Sequence, residues 1–185
     1  MGILDIFRRP VGTNAKSGAV SKRTASGFRE YLSEEEANEA FLPSPTGETV
    51  VQLRDGFFFH PPSGKYAAAG NRAATRNGLR SYNVRGTTYY DAAKADTSPG
   101  VPVTFVREAD NPHDPNAVAV WSSRGGRAIK VGHVPKGRAR SIAKLLDAGK
   151  TVEAYFMRGG KPGTARGPYA VLETDGETMR RLLSG

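Results

Sequence analysis

From residue 82 onward the chain alternates apolar and polar positions in short runs: YNVRGTTYY, PVTFVRE, NAVAVWS, RAIKVGHVP, TVEAYFM and GPYAVLE. Period-two alternation of β-branched and aromatic residues, punctuated by Gly, Pro, Asn and Asp, predicts six short strands. One stretch breaks the period. In GRARSIAKLLDA, residues 137–148, Ala139, Ile142, Ala143, Leu145 and Leu146 recur at helical spacing, with Arg138, Arg140 and Lys144 outside them and Gly149 as a left-handed stop. Ile142, Leu145 and Leu146 are expected in the core. Six strands and one central helix predict a mainly β (α+β) domain over residues 82–175, a small closed or nearly closed barrel, because closure removes exposed edges from so small a sheet.

The first 80 residues read differently. Residues 9–27 are rich in Gly, Ser, Thr and Lys without periodicity, as in a flexible tail. EYLSEEEANEAFL, residues 30–42, predicts a short helix at 33–42 in which Ser33 and Glu36 form a capping box and Leu32, Ala37 and Phe41 share a side. TVVQLRDGFFFH, residues 49–60, predicts a hairpin around Asp55-Gly56. Residues 61–80 return to linker composition with four Lys or Arg, and residues 176–185 form a short C-terminal helix or tail. The domain over 82–175 is therefore expected to fold alone, resisting protease longer than residues 9–27.

Composition narrows the class. Hydrophobic residues are 38% and charged residues 24% of 185, a globular but polar mixture, and no apolar run approaches the roughly 20 residues of a membrane span. MGILDIFRRP is too short in apolar length for a signal peptide, and Ile6 stands where myristoylation needs Ser or Thr, so a cytoplasmic location is expected. There is no cysteine, which excludes disulfides and thiolate metal sites. Lys and Arg total 27 against 18 Asp and Glu, a net charge of +9, and such an excess favours a polyanionic partner.

Against that basic background READNPHDPNAVAV, residues 107–120, is an exception: two prolines, two asparagines and three acidic residues immediately before a strand. NPHDPN sets a turn on its own. It also concentrates a carboxylate, a histidine and two amides in six residues, more hydrogen-bonding capacity than a turn requires. For Asp114 and Asn116 an Asx turn satisfying local amides is the competing explanation, and for Asn116 the stronger one.

Three blocks then suggest a family. VRGTTYYD at 84–91, PVTFVREADNPHDPNAVAVW at 102–121 and VGHVPKGRARSIAKLLDAG at 131–149, in that order and spacing, resemble the HIRAN domain, a module fused to Snf-type helicases and found alone or fused in bacteria. The resemblance covers roughly residues 82–175. It implies an OB-like barrel of about six strands with two helices, and recognition of single-stranded DNA at a free 3′-hydroxyl, with DNA repair as the process and a helicase or nuclease as partner protein. Tyr89 and Tyr90 match the family's base-stacking pair, with Tyr89 favoured as the ligand-facing ring. Asn111 and Asp114 match positions against the terminal nucleotide and its hydroxyl, while His133 and Lys136 match phosphate-side positions. Two residues depart from the pattern: His113 replaces a tyrosine, keeping a DNA-stacking role with less ring area, and Thr88 replaces an arginine, which removes one phosphate contact.

Other chemistries do not fit. GGKPGT at 159–164 lacks the phosphate-loop pattern because Pro162 follows the lysine, and DNPHDPN lacks the closing glutamate of a calcium loop, since Trp121 is twelfth from Asp110. The three histidines, His60, His113 and His133, make a poor zinc set. A metal-dependent nuclease needs paired carboxylates beside a lysine, and Lys130 has no acidic residue two before it. No catalytic residue, metal or cofactor is expected. A protein-interaction module with a generic basic surface remains the alternative to DNA binding, and a nuclease accessory the least favoured.

Overall fold

Asp55 and Gly56 both take left-handed backbone angles, φ 53° and 75°, the requirement of a two-residue hairpin turn whose twist matches the flanking strands. They join β1 (Gln52–Arg54) to β2 (Phe57–His60), and β3 (Lys65–Ala67) completes an antiparallel three-stranded sheet. The computed structural model describes residues 29–42, 50–122 and 126–185, so the stretch 9–27 lies outside the described residues. Helix α1 (Glu34–Ala40) starts on a complete capping box: Ser33 Oγ accepts from the Glu36 amide at 3.2 Å, and Glu36 Oε2 accepts from the Ser33 amide at 2.8 Å. Residues 61–80 are more than a linker. They hold β3 and the short helix α2 (Arg72–Arg76), capped by Asn71 Oδ1 accepting from Ala74 N at 3.1 Å. Apart from Leu79 at its end, alanines carry the burial there, Ala67, Ala73 and Ala74, and so small an apolar signal reads as a loop in the sequence.

The remaining strands form two further antiparallel sheets. One has the order β4 (Arg80–Asn83), β9 (Ala170–Glu173), β8 (Ala154–Arg158). The other has the order β5 (Val103–Arg107), β6 (Val118–Ser122), β7 (Ile129–His133). Isolated bridges, Arg85 to His133 and Pro102 to Tyr155, join these two sheets. The described residues are thus mainly β with four α-helices, and they form no closed six-stranded barrel. Physical causes stand at both seams. After β4, Gly86 turns left-handed (φ 69°) and sends the chain into a 3-10 turn, Thr87–Tyr89, instead of a continued ladder. At the other, Pro102 has no N–H to donate. Gly132 permits the first seam, since a Cβ there would collide with the Arg85 carbonyl and the Val84 side chain.

Between the two sheets lies the first core, in which Val103, Val118, Val120, Val131, Phe156 and Val171 pack with helix α3 (Lys136–Asp147). The helix stops in a Schellman arrangement, with Gly149 N bonded to the Leu146 carbonyl and Lys150 N to the Leu145 carbonyl, both at 2.9 Å. It buries Ala139, Ile142 and Ala143, whereas Leu145 and Leu146, in the last turn, are half-buried. Ile142→Ala should therefore cost about 2–5 kcal/mol and Leu145→Ala clearly less. Equal losses in chemical denaturation would show that the helix packs differently.

A second core lies on the opposite face of β8 and β9. There Met157, Ala170 and Leu172 meet Phe41 of the α1 end, Val51, Phe58, Leu79, and Met179 and Leu182 of helix α4 (Gly176–Ser184). Successive residues of β9 alternate between the cores, Val171 in the first and Ala170 and Leu172 in the second. The strand is consequently apolar on both faces.

Candidate nucleic-acid interface

The 3-10 turn that interrupts the β4 seam sets the tyrosine pair. Tyr89 ends the turn and is 85% exposed. Tyr90 follows in extended backbone and is half-buried, its ring edge-on to His133 with centroids 5.6 Å apart and with Lys130 Nζ 4.5 Å from its centroid. A 3-10 turn, rather than strand alternation, thus decides which ring faces solvent. Around Gly86 three rings converge: a methyl placed there would lie 3.8 Å from Tyr89 Cδ2, 3.9 Å from Tyr90 Cε2 and 4.0 Å from His133 Nδ1.

In the polar turn the side chains first serve the turn itself. Asn111 Oδ1 accepts from the amides of His113 at 3.0 Å and Asp114 at 3.3 Å, and Asp114 Oδ1 accepts from the Asn116 amide at 2.8 Å. These are nested Asx turns, closed by Ala117 N on the Asp114 carbonyl at 2.9 Å. Asn116 contributes its main chain. One Asp114 oxygen keeps no hydrogen bond among the described residues, and the His113 ring is exposed.

Glu108 ties this turn to the rings. Its carboxylate accepts from Lys130 Nζ at 2.5 Å, His133 Nε2 at 2.9 Å and Asn111 Nδ2 at 3.1 Å. Partial burial by itself would raise its pKa; the hydrogen bonds from Lys130, His133 and Asn111 outweigh that and hold it at about 2. An ionised carboxylate only accepts, so Nε2 of His133 carries the hydrogen and Nδ1 is the nitrogen presented toward Gly86. Glu108 itself gave no signal in the sequence beyond being acidic at a strand end, and Lys130 none beyond being a strand lysine. Lys136, by contrast, is the first residue of α3, exposed and without a side-chain partner among the described residues. Arg85, beside the seam, is likewise exposed and unpaired among them.

The structure therefore brings Tyr90, Asn111 and His133 together through Glu108, places Tyr89 beside them across Gly86, and leaves His113, Asp114 and Lys136 around that cluster. Among the described residues no group of three or more His, Asp or Glu is placed to hold a metal ion.

The family model of the HIRAN domain matches residues 77–163, a stretch that includes every residue of this cluster, and the chain carries a HIRAN domain there. Outside the match lie α1, the β1–β2–β3 sheet, α2, β9 and α4. Among solved structures, the crystal structure of the HIRAN domain of human HLTF is similar at 23% identity and a TM-score of 0.40, with 57% of this chain and 83% of that one covered. No curated protein matches the chain.

Proposed function

We propose that this protein binds single-stranded DNA and prefers a free 3′-hydroxyl end. HIRAN domains are DNA-binding modules, and the family match together with a net charge of +9 supports DNA as the ligand. The end preference rests on one observation, a carboxylate oxygen of Asp114 left open on the turn beside the ring cluster. Such an oxygen accepts from a hydroxyl and repels a phosphate, so it favours a terminus over a continuing strand. Tyr89 offers an exposed ring for a terminal base, a contact worth roughly 1–3 kcal/mol. Lys136 and Arg85 supply phosphate contacts in place of the cation missing at Thr88. The protein acts as a binding module, not an enzyme; a helicase or nuclease partner, a role in DNA repair and a cytoplasmic site of action belong to the same proposal.

Fluorescence anisotropy on a short oligonucleotide with a 3′-hydroxyl, and on the same strand with a 3′-phosphate, tests it. The hydroxyl form should bind at least about tenfold more tightly, the worth of one hydrogen bond to a charged group. Asp114→Ala should narrow that ratio, while Lys136→Ala should weaken both ligands together. Equal affinities, unchanged by Asp114→Ala, would leave a generic basic surface or a protein-interaction module as the reading.

A further inference from the structure

The outer face of the β1–β2–β3 sheet carries a second concentration of rings and cations, outside the matched HIRAN residues except for Arg158. Phe57, half-buried, and Phe59, only 5% exposed beneath the Arg54 guanidinium, alternate with Phe58 and so share the face away from the second core. Tyr66 pairs with Phe59 and Arg54 with Phe57 across the strands, and Tyr31, 47% exposed, bridges Tyr66 from the segment before α1. The rings form a connected set: Tyr31 and Tyr66 each lie 6.4 Å from Phe57, and Tyr66 lies 5.0 Å from Phe59. Over them lie guanidinium groups, Arg54 3.6 Å from the Phe59 centroid, with Arg29 at 4.6 Å and Arg158 at 4.7 Å from that of Phe57.

Arginines do cover apolar sheet faces for packing alone. Here the layer is not closed. Arg29 is shared with Asp55 at 3.6 Å, but Arg54 has no hydrogen-bond acceptor among the described residues, and the Tyr31 ring is half open to solvent. A sheet face that interleaves aromatic rings with guanidinium groups, one of them without an acceptor among the described residues, suits bases and phosphates of a single strand, which need stacking surfaces and cations but no fixed sequence. Arg158 connects this face to the ring cluster. Its guanidinium lies over Phe57 and donates to Asn83 Oδ1 at 2.5 Å, and Asn83 stands three residues before Gly86, a reach of no more than about 10 Å.

We propose that this face is a second single-stranded DNA contact, holding the part of the strand upstream of the 3′ end; it rests on the end-binding reading above. Anisotropy of the full chain with 3′-hydroxyl oligothymidylates of about 4 to 16 nucleotides tests it. Affinity should rise with length, and Tyr31→Ala and Arg54→Ala should each remove about tenfold from the long oligonucleotides, while leaving the short ones and the hydroxyl-to-phosphate ratio unchanged. Tyr31→Phe, which keeps the ring, should bind as the parent. Length-independent affinity, or variants that weaken long and short strands alike, would overturn this second contact and leave end binding standing. Length dependence that the two variants abolish, without any 3′-hydroxyl preference, would uphold the contact and sink the end-binding reading instead.

Discussion

Deletion of residues 1–79 should leave a chain that no longer unfolds cooperatively, although the cut removes only the first three residues of the family match. The reason is the second core. Met157 and Leu172, both fully buried, project from β8 and β9 into a layer completed by Phe41, Val51 and Phe58. Met179 and Leu182 of α4 bury into that layer as well. Burial of a side chain of that size is worth about 1.5–3 kcal/mol, so exposing these four places roughly 6–12 kcal/mol at stake. That approaches the whole stability of an ordinary domain, about 5–15 kcal/mol. Circular dichroism melts of the full chain and of residues 80–185 decide it: a sharp transition for the shorter chain, within a few degrees of the full one, would mean that the second core is dispensable.

This shared core also shows where the sequence was legible. Strong local chemistry was: the capping box at Ser33 and Glu36, the Asp55-Gly56 turn, the helix ending at Gly149, and the strand runs that became β5 to β9 all rest on residues whose backbone preference decides the outcome. What could not be read is pairing across long separations. Nothing local in KYAAAGNRAATR says that its alanines will pack near Leu172, so the stretch looks like a linker. The barrel expectation overshot for a similar reason, since strand count carries no information about whether Gly86 and Pro102 interrupt the ladders that closure requires.

The site divides along the same line. Residue types in the polar turn pointed to Asx geometry, and Asn111 and Asp114 form it. Their further partner was invisible, because Glu108 meets Lys130 and His133 only when β7 pairs beside β6, more than 20 residues along the chain. Likewise the reading of Tyr89 and Tyr90 as strand residues missed the 3-10 turn, which needs the left-handed Gly86 and its crowding against Gly132.

Replacement of Glu108 should have the largest effect of any single change in the site. In Glu108→Ala, Lys130, His133 and Asn111 lose a common acceptor in a partly buried setting where the Glu108, Lys130 and His133 side chains are 18–25% exposed. Charge-assisted hydrogen bonds there are worth about 1.5–3 kcal/mol each at most, and relaxation toward water reduces this, so a loss of roughly 1–3 kcal/mol is expected. Binding should change unequally for the two ends: removing a negative charge raises affinity for phosphates in general, so the 3′-phosphate strand, with one more of them, gains more and the hydroxyl preference falls. Acid pH separates the electrostatic part from packing. The native pKa, about 2, lies below the ordinary glutamate value of 4.5, so the ionised carboxylate stabilises the fold fully above pH 4.5, and this contribution disappears as pH falls toward 2. Glu108→Gln keeps shape and an acceptor but no charge. Its stability should therefore trail the parent's by a constant margin above pH 5 and converge with it as pH approaches 2. Denaturation curves that coincide with the parent's throughout, or that stay equally separated down to pH 2, would show that the charge of Glu108 plays no part in setting the site.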